Sequence, residues 1–281
     1  MAIRTLTVLI LIVMVTGCRY DLDVTGAFYT PVPVNERFAL SETWIKENEA
    51  REVFVDPGGY TFLVGSDSHV GGTVNLNVFL ERAMDENAAG AAIAGDLCTG
   101  WEEDYDIAAA EIEGAGGLPV FVTPGNHDLY FSGWNSFWDH FGPGCYTLEV
   151  HSGDTSDLFI FLDSGGGTLG SRQLEWLKVL LEQQRPDHRH AVVITHVNFF
   201  RNRFTTSTNI LNEEVMVLLD LFAKHRINVV IQGHDHKRYE EVIGTTTYLT
   251  LDALKDDNPD ASFLELTVTA AGVDFRFVPF N

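Results

Sequence analysis

The sequence predicts an α/β fold in which two mixed β-sheets pack as a sandwich flanked by helices. From residue 60 onward, short apolar runs alternate with segments of helical apolar spacing, which is typical of strands and helices around a largely parallel sheet. The last segment carries two alternating runs instead, which indicates a hairpin. Because 45% of the 281 residues are hydrophobic, the chain can bury a sizeable core.

The expected elements follow one another along the chain. We predict strands at residues 60–64, 91–94, 119–122, 158–162, 191–194 and 229–231. Helices are expected at residues 74–87, 104–112, 172–184 and 213–225, where apolar positions recur at helical spacing. Residues 262–280 close the chain as the hairpin, with Ala270, Ala271 and Gly272 at its turn.

The amino terminus has the pattern of a secretion signal. Arg4 precedes a short apolar run at residues 6–15, and Thr16, Gly17 and Cys18 follow it. This resembles a bacterial lipoprotein signal, in which residues 1–17 are removed and Cys18 is acylated. The alternative is an ordinary cleaved signal followed by an incidental cysteine. The lipoprotein interpretation predicts an extracytoplasmic protein, lipid-anchored through Cys18 at the outer membrane or cell surface of a bacterium.

Residues 18–59 show no sustained helical or strand period. We expect them to form a tether plus an edge piece ahead of a domain that covers residues 60–281.

Composition excludes several classes of function. Cys98 and Cys145 have no CxxC spacing, so two buried free thiols are expected rather than a thiolate metal site. The formal net charge of -22 opposes sequence-independent binding of nucleic acid, which needs basic residues to neutralise phosphates. We therefore expect no nucleic-acid partner, and the oligomeric state stays open.

Polar residues follow directly after five of the predicted strands. Ligands bind at the carboxyl ends of the strands in open α/β sheets, so these side chains are expected to meet. Carboxylate, imidazole and amide ligands suit divalent or trivalent ions such as Zn, Mn or Fe. So many ligands at one edge favour two ions that share a carboxylate. The residues concerned are Asp67, His69, Asp96, Asn126, His127, Asp128, His196, His234 and His236.

These motifs (DxH, GD, GNHD, a single His and GHDH) resemble those of the calcineurin-like metallophosphoesterase superfamily over nearly all of residues 60–280. The resemblance implies a metallophosphoesterase-like sandwich and a two-metal hydrolase of small phosphorylated substrates, either monoesters or diesters. A segment with Asp163, Ser164 and Gln173 is similar to a recurrent structural element of the superfamily. Thr99 departs from purple acid phosphatases, which place a metal-binding Tyr there.

The resemblance also implies a role for each residue. Asp67, His69 and His236 would hold the first metal, Asp96 would bridge both, and Asn126, His196 and His234 would complete the second. His127 would act as the acid or stabilise the substrate, oriented by Asp128.

Other interpretations remain to be weighed. A non-catalytic surface module of the same fold, binding a phosphorylated ligand, predicts missing ligands, whereas the set is complete. A metallo-β-lactamase-like hydrolase would need an HxHxDH run, but Lys237 and Arg238 follow His236. The aromatic residues Trp134 and Phe137 lie at helical spacing, which favours a core position over a substrate wall.

Overall fold

The computed structural model describes residues 32–200 and 208–280, so the predicted signal and Cys18 lie outside the described residues. In the part that is described, no helix is both long enough and apolar enough to cross a membrane.

The described strands form two mixed sheets, which confirms the predicted fold class. In spatial order, the seven-stranded sheet contains β1 (Arg51–Val55), β5 (Tyr146–Ser152), β6 (Thr155–Phe161), β7 (Ala191–Ile194), β8 (Val229–Gln232), β10 (Thr246–Thr250) and β9 (Tyr239–Ile243). The five-stranded sheet contains β12 (Val273–Pro279), β11 (Ser262–Val268), β2 (Tyr60–Gly65), β3 (Gly90–Ala94) and β4 (Val120–Thr123). Strands β2 to β4 are parallel, as are β6, β7, β8 and β10, whereas β11 and β12 form the expected antiparallel hairpin.

Helices cover the outer face of each sheet. They are α1 (Val34–Glu47), α2 (Val74–Asp85), α3 (Glu102–Gly114), α4 (Gly133–Phe141), α5 (Gly170–Gln183) and α6 (Asn212–Lys224). Short 3₁₀ helices span His127–Ser132 and Arg185–Asp187.

The core is divided into layers by the sheets. Side chains from both inner faces meet between the sheets, where the rings of Phe62 and Phe159 lie 4.6 Å apart. A second cluster joins the five-stranded sheet to α2, α3 and α4, and it buries Trp134 and Phe137. These aromatic residues are therefore core, as their spacing indicated. A third cluster joins the seven-stranded sheet to α1, α5 and α6.

Residues 34–55 correct the expectation of a tether. Helix α1 packs on α5 and buries few side chains, among them Arg37 and Phe38. The Arg37 guanidinium forms a buried bidentate ion pair with Asp163, with nitrogen–oxygen distances of 2.7 and 3.0 Å. This helix was missed because a buried ion pair takes the place of a clear apolar stripe. Strand β1 pairs with β5 at the edge of the larger sheet, in agreement with the expected edge piece.

The cysteines behave as predicted. Cys98 and Cys145 are both buried and free.

Candidate metal centre

The predicted ligands converge at the carboxyl ends of strands from both sheets. One group of potential ligand atoms comes from Asp67, His69, Asp96 and His236, and a second comes from Asp96, His196 and His234. Within each group the atoms lie within 4.8 Å of one another. Asp96 belongs to both groups, as the bridging role requires.

The loops turn sharply to aim these side chains. Five of the candidate ligands have a positive φ between 45° and 75°, a region that residues other than glycine seldom adopt. They are Asp67, His69, Asp96, His234 and His236. These residues lie two or four positions after the ends of strands β2, β3 and β8.

Motif glycines let neighbouring loops approach the ligands. A Cβ atom on Gly95 would lie 2.5 Å from Nδ1 of His196. A Cβ on Gly125 would collide with the Asp96 carboxylate, and one on Gly233 would collide with that of Asp67. Each of these glycines is therefore required by a ligand that belongs to a different loop.

The first group contains an orphaned carboxylate oxygen. Asp67 Oδ2 accepts hydrogen bonds from the Ser66 hydroxyl at 2.6 Å and from the backbone N–H of His234 at 2.9 Å. Asp67 Oδ1 is buried without a hydrogen-bond partner and lies 3.2 Å from Nε2 of His236. That nitrogen is 3.1 Å from Nε2 of His69. Because an unsatisfied buried carboxylate oxygen is unfavourable, this convergence fits a bound cation.

In the second group, hydrogen bonds select the ligand nitrogen of each imidazole. His196 Nδ1 lies 2.9 Å from the Ala94 carbonyl, which leaves Nε2 to face Asp96 Oδ2 at 3.2 Å and Asn126 Oδ1 at 3.2 Å. His234 Nε2 lies 3.0 Å from the Thr208 carbonyl, which leaves Nδ1 to face His196 Nε2 at 3.2 Å. Metal-bound histidines in proteins are commonly oriented in this way by a carbonyl on the second ring nitrogen.

The electrostatics favour the ionised form of Asp67 and the neutral form of His69, whereas they favour a proton on His196. Burial acts to raise the pKa of Asp67, but the neighbouring imidazoles of His236 and His196 together lower it to about 2. Burial lowers the pKa of His69 to about 4, so this ring is neutral at neutral pH. Burial is the largest single effect on His196 and acts to lower its pKa, but the charge and hydrogen bond of Asp96 together with the charge of Asp67 raise it to about 9. A cation bound there would have to displace that proton.

Residues 60–238 match the family model described as calcineurin-like phosphoesterase. The chain belongs to this family. A search of curated proteins gave no match.

Several solved structures share the fold. A dimetal phosphatase from Danio rerio is 13% identical with a TM-score of 0.61, and the match covers 80% of this chain and 100% of that one. GAP50 of Plasmodium, described as the anchor in the inner membrane complex, is 15% identical with a TM-score of 0.60, covering 79% and 85%. A purple acid phosphatase from yellow lupin is 14% identical with a TM-score of 0.59, covering 79% and 52%. At these identities the similarity shows the fold alone.

In this member of the calcineurin-like phosphoesterase family, His127 lies beside the candidate metal centre. Its backbone N–H donates to Asp96 Oδ1 at 2.7 Å, and its ring meets the His69 ring edge-on at 4.5 Å. The Tyr130 ring packs against His127 at 4.6 Å, and the Tyr130 hydroxyl accepts a hydrogen bond from Asn126 Nδ2 at 2.9 Å. The imidazole is therefore held at the rim of the proposed ligand shell.

The role expected of Asp128 needs correction. Its carboxylate accepts backbone hydrogen bonds from Gly125 at 2.8 Å, Cys98 at 2.9 Å and Leu97 at 3.2 Å, and so joins the loop of Asp96 to that of Asn126. Burial and the charge of Asp96 raise the pKa of Asp128 to about 7. Adjacency suggested that Asp128 orients the His127 ring, but neighbouring side chains in a 3₁₀ helix point about 120° apart. Asp128 is a positioning residue for the loops.

Ser164 is a functional residue whose role the sequence did not reveal. Its Oγ accepts hydrogen bonds from the backbone N–H groups of His196 at 3.1 Å and Val197 at 2.9 Å. The preceding Asp163 exchanges backbone hydrogen bonds with the Gln173 side chain, both at 2.9 Å. The segment that resembled a recurrent structural element of the family therefore fixes the His196 loop.

Proposed function

We propose that the chain is a two-metal-dependent hydrolase of phosphate esters, either monoesters or diesters, that acts outside the cytoplasm. The observation that carries this proposal is the pair of ligand groups sharing Asp96, with His127 beside them.

The ligand assignment follows the two groups. Asp67, His69 and His236 would hold one ion, Asn126, His196 and His234 the other, and Asp96 both. Mn, Fe or Zn ions would supply an acidified water and neutralise charge on the phosphoryl oxygens. Among the candidate ligands in the described part of the chain, two are carboxylates, those of Asp67 and Asp96, and they would offset only part of the charge of two such ions. The centre would thus attract phosphate although the chain carries a net charge of -22.

His127 would act on the leaving group. Its backbone hydrogen bond to Asp96 and its ring contact with Tyr130 hold the imidazole beside the candidate ligands. A protonated imidazole there donates its proton to the departing alkoxide oxygen, which is the usual task of a general acid. Asn126 and Asp128 keep the loop that carries it in place.

The location outside the cytoplasm rests on the pattern that ends at Cys18. The full chain with Cys18→Ala should leave the membrane fraction of a bacterial host, while the unchanged chain should carry lipid on Cys18 in a mass spectrum. Membrane association that survives the substitution would contradict the anchor.

Metal content and turnover together test the catalytic proposal. Purified residues 19–281 should contain about two transition-metal ions per chain, as the dinuclear centre requires, and should hydrolyse 4-nitrophenyl phosphate or its bis ester. Asp96→Asn should lose both metal and activity, whereas His127→Ala should keep metal and lose activity. His225→Ala, at the end of α6, is the matched control and should change neither.

The alternative is a non-catalytic module that binds a phosphorylated ligand with the same fold. The similarity to GAP50, which is described as an anchor, makes this alternative worth testing. The complete set of candidate ligands favours the enzyme. Folded protein that takes up no metal and turns over neither ester would leave the binding module as the better proposal.

A further inference from the structure

Two large aromatic side chains are exposed on the segments that follow Asp96 and His127. Trp101 is 54% exposed and Phe131 is 42% exposed. Their rings stack with centroids 4.3 Å apart and planes inclined by 19°. Phe131 has a φ of 52°, which is a rare conformation for a bulky residue and is a sign of functional constraint.

Both aromatics belong to loops that carry candidate ligands. Trp101 follows the loop of Asp96, and Phe131 follows His127 by four positions. A series of ring contacts connects them to the centre: His127 meets Tyr130 at 4.6 Å, Tyr130 meets Phe131 at 6.3 Å, and Phe131 meets Trp101. A continuous series of ring contacts therefore runs from His127 to the aromatic pair.

The same aromatics line a cavity of about 420 Å³ that is rich in carboxylates. Glu102, Glu103 and Asp139 are exposed around it, and the described residues that line it include no Lys or Arg. We call Trp101, Phe131 and these carboxylates the acidic aromatic rim.

Helix electrostatics explain only part of this charge. Glu102 and Glu103 occupy the first turn of α3, where carboxylates are favoured by the helix dipole. Asp139 lies near the carboxyl end of α4, where the dipole disfavours a negative charge. A carboxylate at that unfavourable position, facing the same cavity as the other two, indicates that negative charge is useful to the rim itself.

From this we infer that the site prefers phosphate esters in which an esterifying alcohol carries an ammonium or trimethylammonium group, bound at the acidic aromatic rim. The inference rests on the proposed hydrolase. Aromatic faces and carboxylates both attract cations, whereas they offer nothing to a second phosphate group. The two regions together fit a zwitterionic substrate, with its phosphate at the metal centre and its cation at the rim.

Matched pairs of substrates test the inference. ω-(Trimethylammonio)alkyl phosphates of increasing chain length, beginning with phosphocholine, are compared with isosteres in which carbon replaces nitrogen. The 4-nitrophenyl diesters of the same compounds test the preference if the protein hydrolyses diesters rather than monoesters. At the best chain length, kcat/KM for the cation should exceed that for its isostere by about tenfold or more, and added salt should reduce the ratio. A ratio near one at every length would overturn the inference.

Substitutions show which residues cause the preference for the cationic substrate. Trp101→Leu and Glu103→Gln should each lower the cation-to-isostere ratio severalfold. Phe54→Leu, at a residue 74% exposed on β1, and Glu113→Gln, at an exposed residue near the other end of α3, are matched controls that should keep the wild-type ratio. A ratio that falls equally in the controls would contradict a role for the rim.

Failure of the inference differs from failure of the proposed function. A phosphatase that ignores the cation shows turnover with a ratio near one. If neither compound of a matched pair is hydrolysed, calorimetric titration with each of them still shows whether the protein prefers the cation. Tighter binding of the cation by wild type than by Trp101→Leu supports the rim, and equal binding of cation and isostere refutes it.

Discussion

Replacing Gly125 by alanine should weaken metal binding and should also destabilise the metal-free protein by a comparable free energy. The added Cβ would lie 2.8 Å from Cγ of Asp96, with the carboxylate oxygen and backbone nitrogen of Asp96 closer still. Gly125 has no positive φ, so alanine meets no conformational barrier and the collision is the whole effect. Reaching an ordinary contact of 3.4 Å requires a displacement of about 0.6 Å at Cγ and more than that at the nearer oxygen and nitrogen.

That displacement sets the expected magnitudes. Metal–ligand distances tolerate shifts of about 0.2 Å, so moving the shared ligand Asp96 by more should weaken both ions. Loss of a residue that supports a metal ligand typically lowers metal affinity about 10- to 100-fold, so the metal affinity of Gly125→Ala should fall by at least this much. Overpacking should lower the free energy of unfolding of the metal-free protein by about 1–3 kcal/mol.

Elemental analysis and urea unfolding in EDTA measure the two effects separately. Gly114→Ala is the matched control, because a Cβ at the end of α3 meets nothing within 4 Å. It should keep wild-type metal content and be neutral or slightly stabilising. If Gly125→Ala keeps metals with wild-type affinity, the assignment of Asp96 as the shared ligand is refuted.

Three further perturbations test the support of the centre. Arg37→Met breaks the buried pair with Asp163 and should lower the free energy of unfolding, measured with urea, by about 3–5 kcal/mol. The control Arg172→Met removes an exposed ion pair and should lower the free energy of unfolding by at most about 1 kcal/mol. Equal losses in the two variants would contradict the importance of the buried pair of α1. Ser164→Ala leaves the backbone N–H of His196 without its hydrogen-bond acceptor, so it should lower the free energy of unfolding by about 1–3 kcal/mol and reduce the metal content. Unchanged stability and metal content would count against the positioning role of Ser164. Removing metal with EDTA should lower Tm, and adding metal back at 100 times its Kd should raise the free energy of unfolding by about 2.7 kcal/mol. A Tm that does not change with metal would argue against a metal centre.

The elements near the centre were predictable because buried parallel strands are apolar along their whole length. The predicted strand at residues 191–194 matches β7 at both ends, and the one at 91–94 differs from β3 by one residue. Every residue of both strands is buried. Polar residues after such runs stand out, which is why the nine candidate residues could be chosen before their geometry was known. That the chosen side chains hold metal remains a prediction.

Elements outside that layer were missed for physical reasons. Strand β9 reads Tyr-Glu-Glu-Val-Ile and has no buried residue, because it lies at a sheet edge. Strand β5 does alternate between buried and half-buried positions, but its polar residues face outward among charged neighbours on β1. The buried ion pair of helix α1 joins Arg37 to a residue 126 positions away, a partner that no local pattern can reveal.

The backbone of the centre carries an energetic consequence that the sequence conceals. Among the described residues, five of the eight non-glycine positions with positive φ are candidate metal ligands. Holding such residues in the left-handed region costs on the order of 1 kcal/mol each. Asp67 Oδ1 adds a buried oxygen without a hydrogen-bond partner. Packing elsewhere must stabilise these loops when metal is absent, and cations would relieve the carboxylate part of the strain when bound. The same arrangement that makes the loops unfavourable on their own therefore gives them a reason to bind metal tightly.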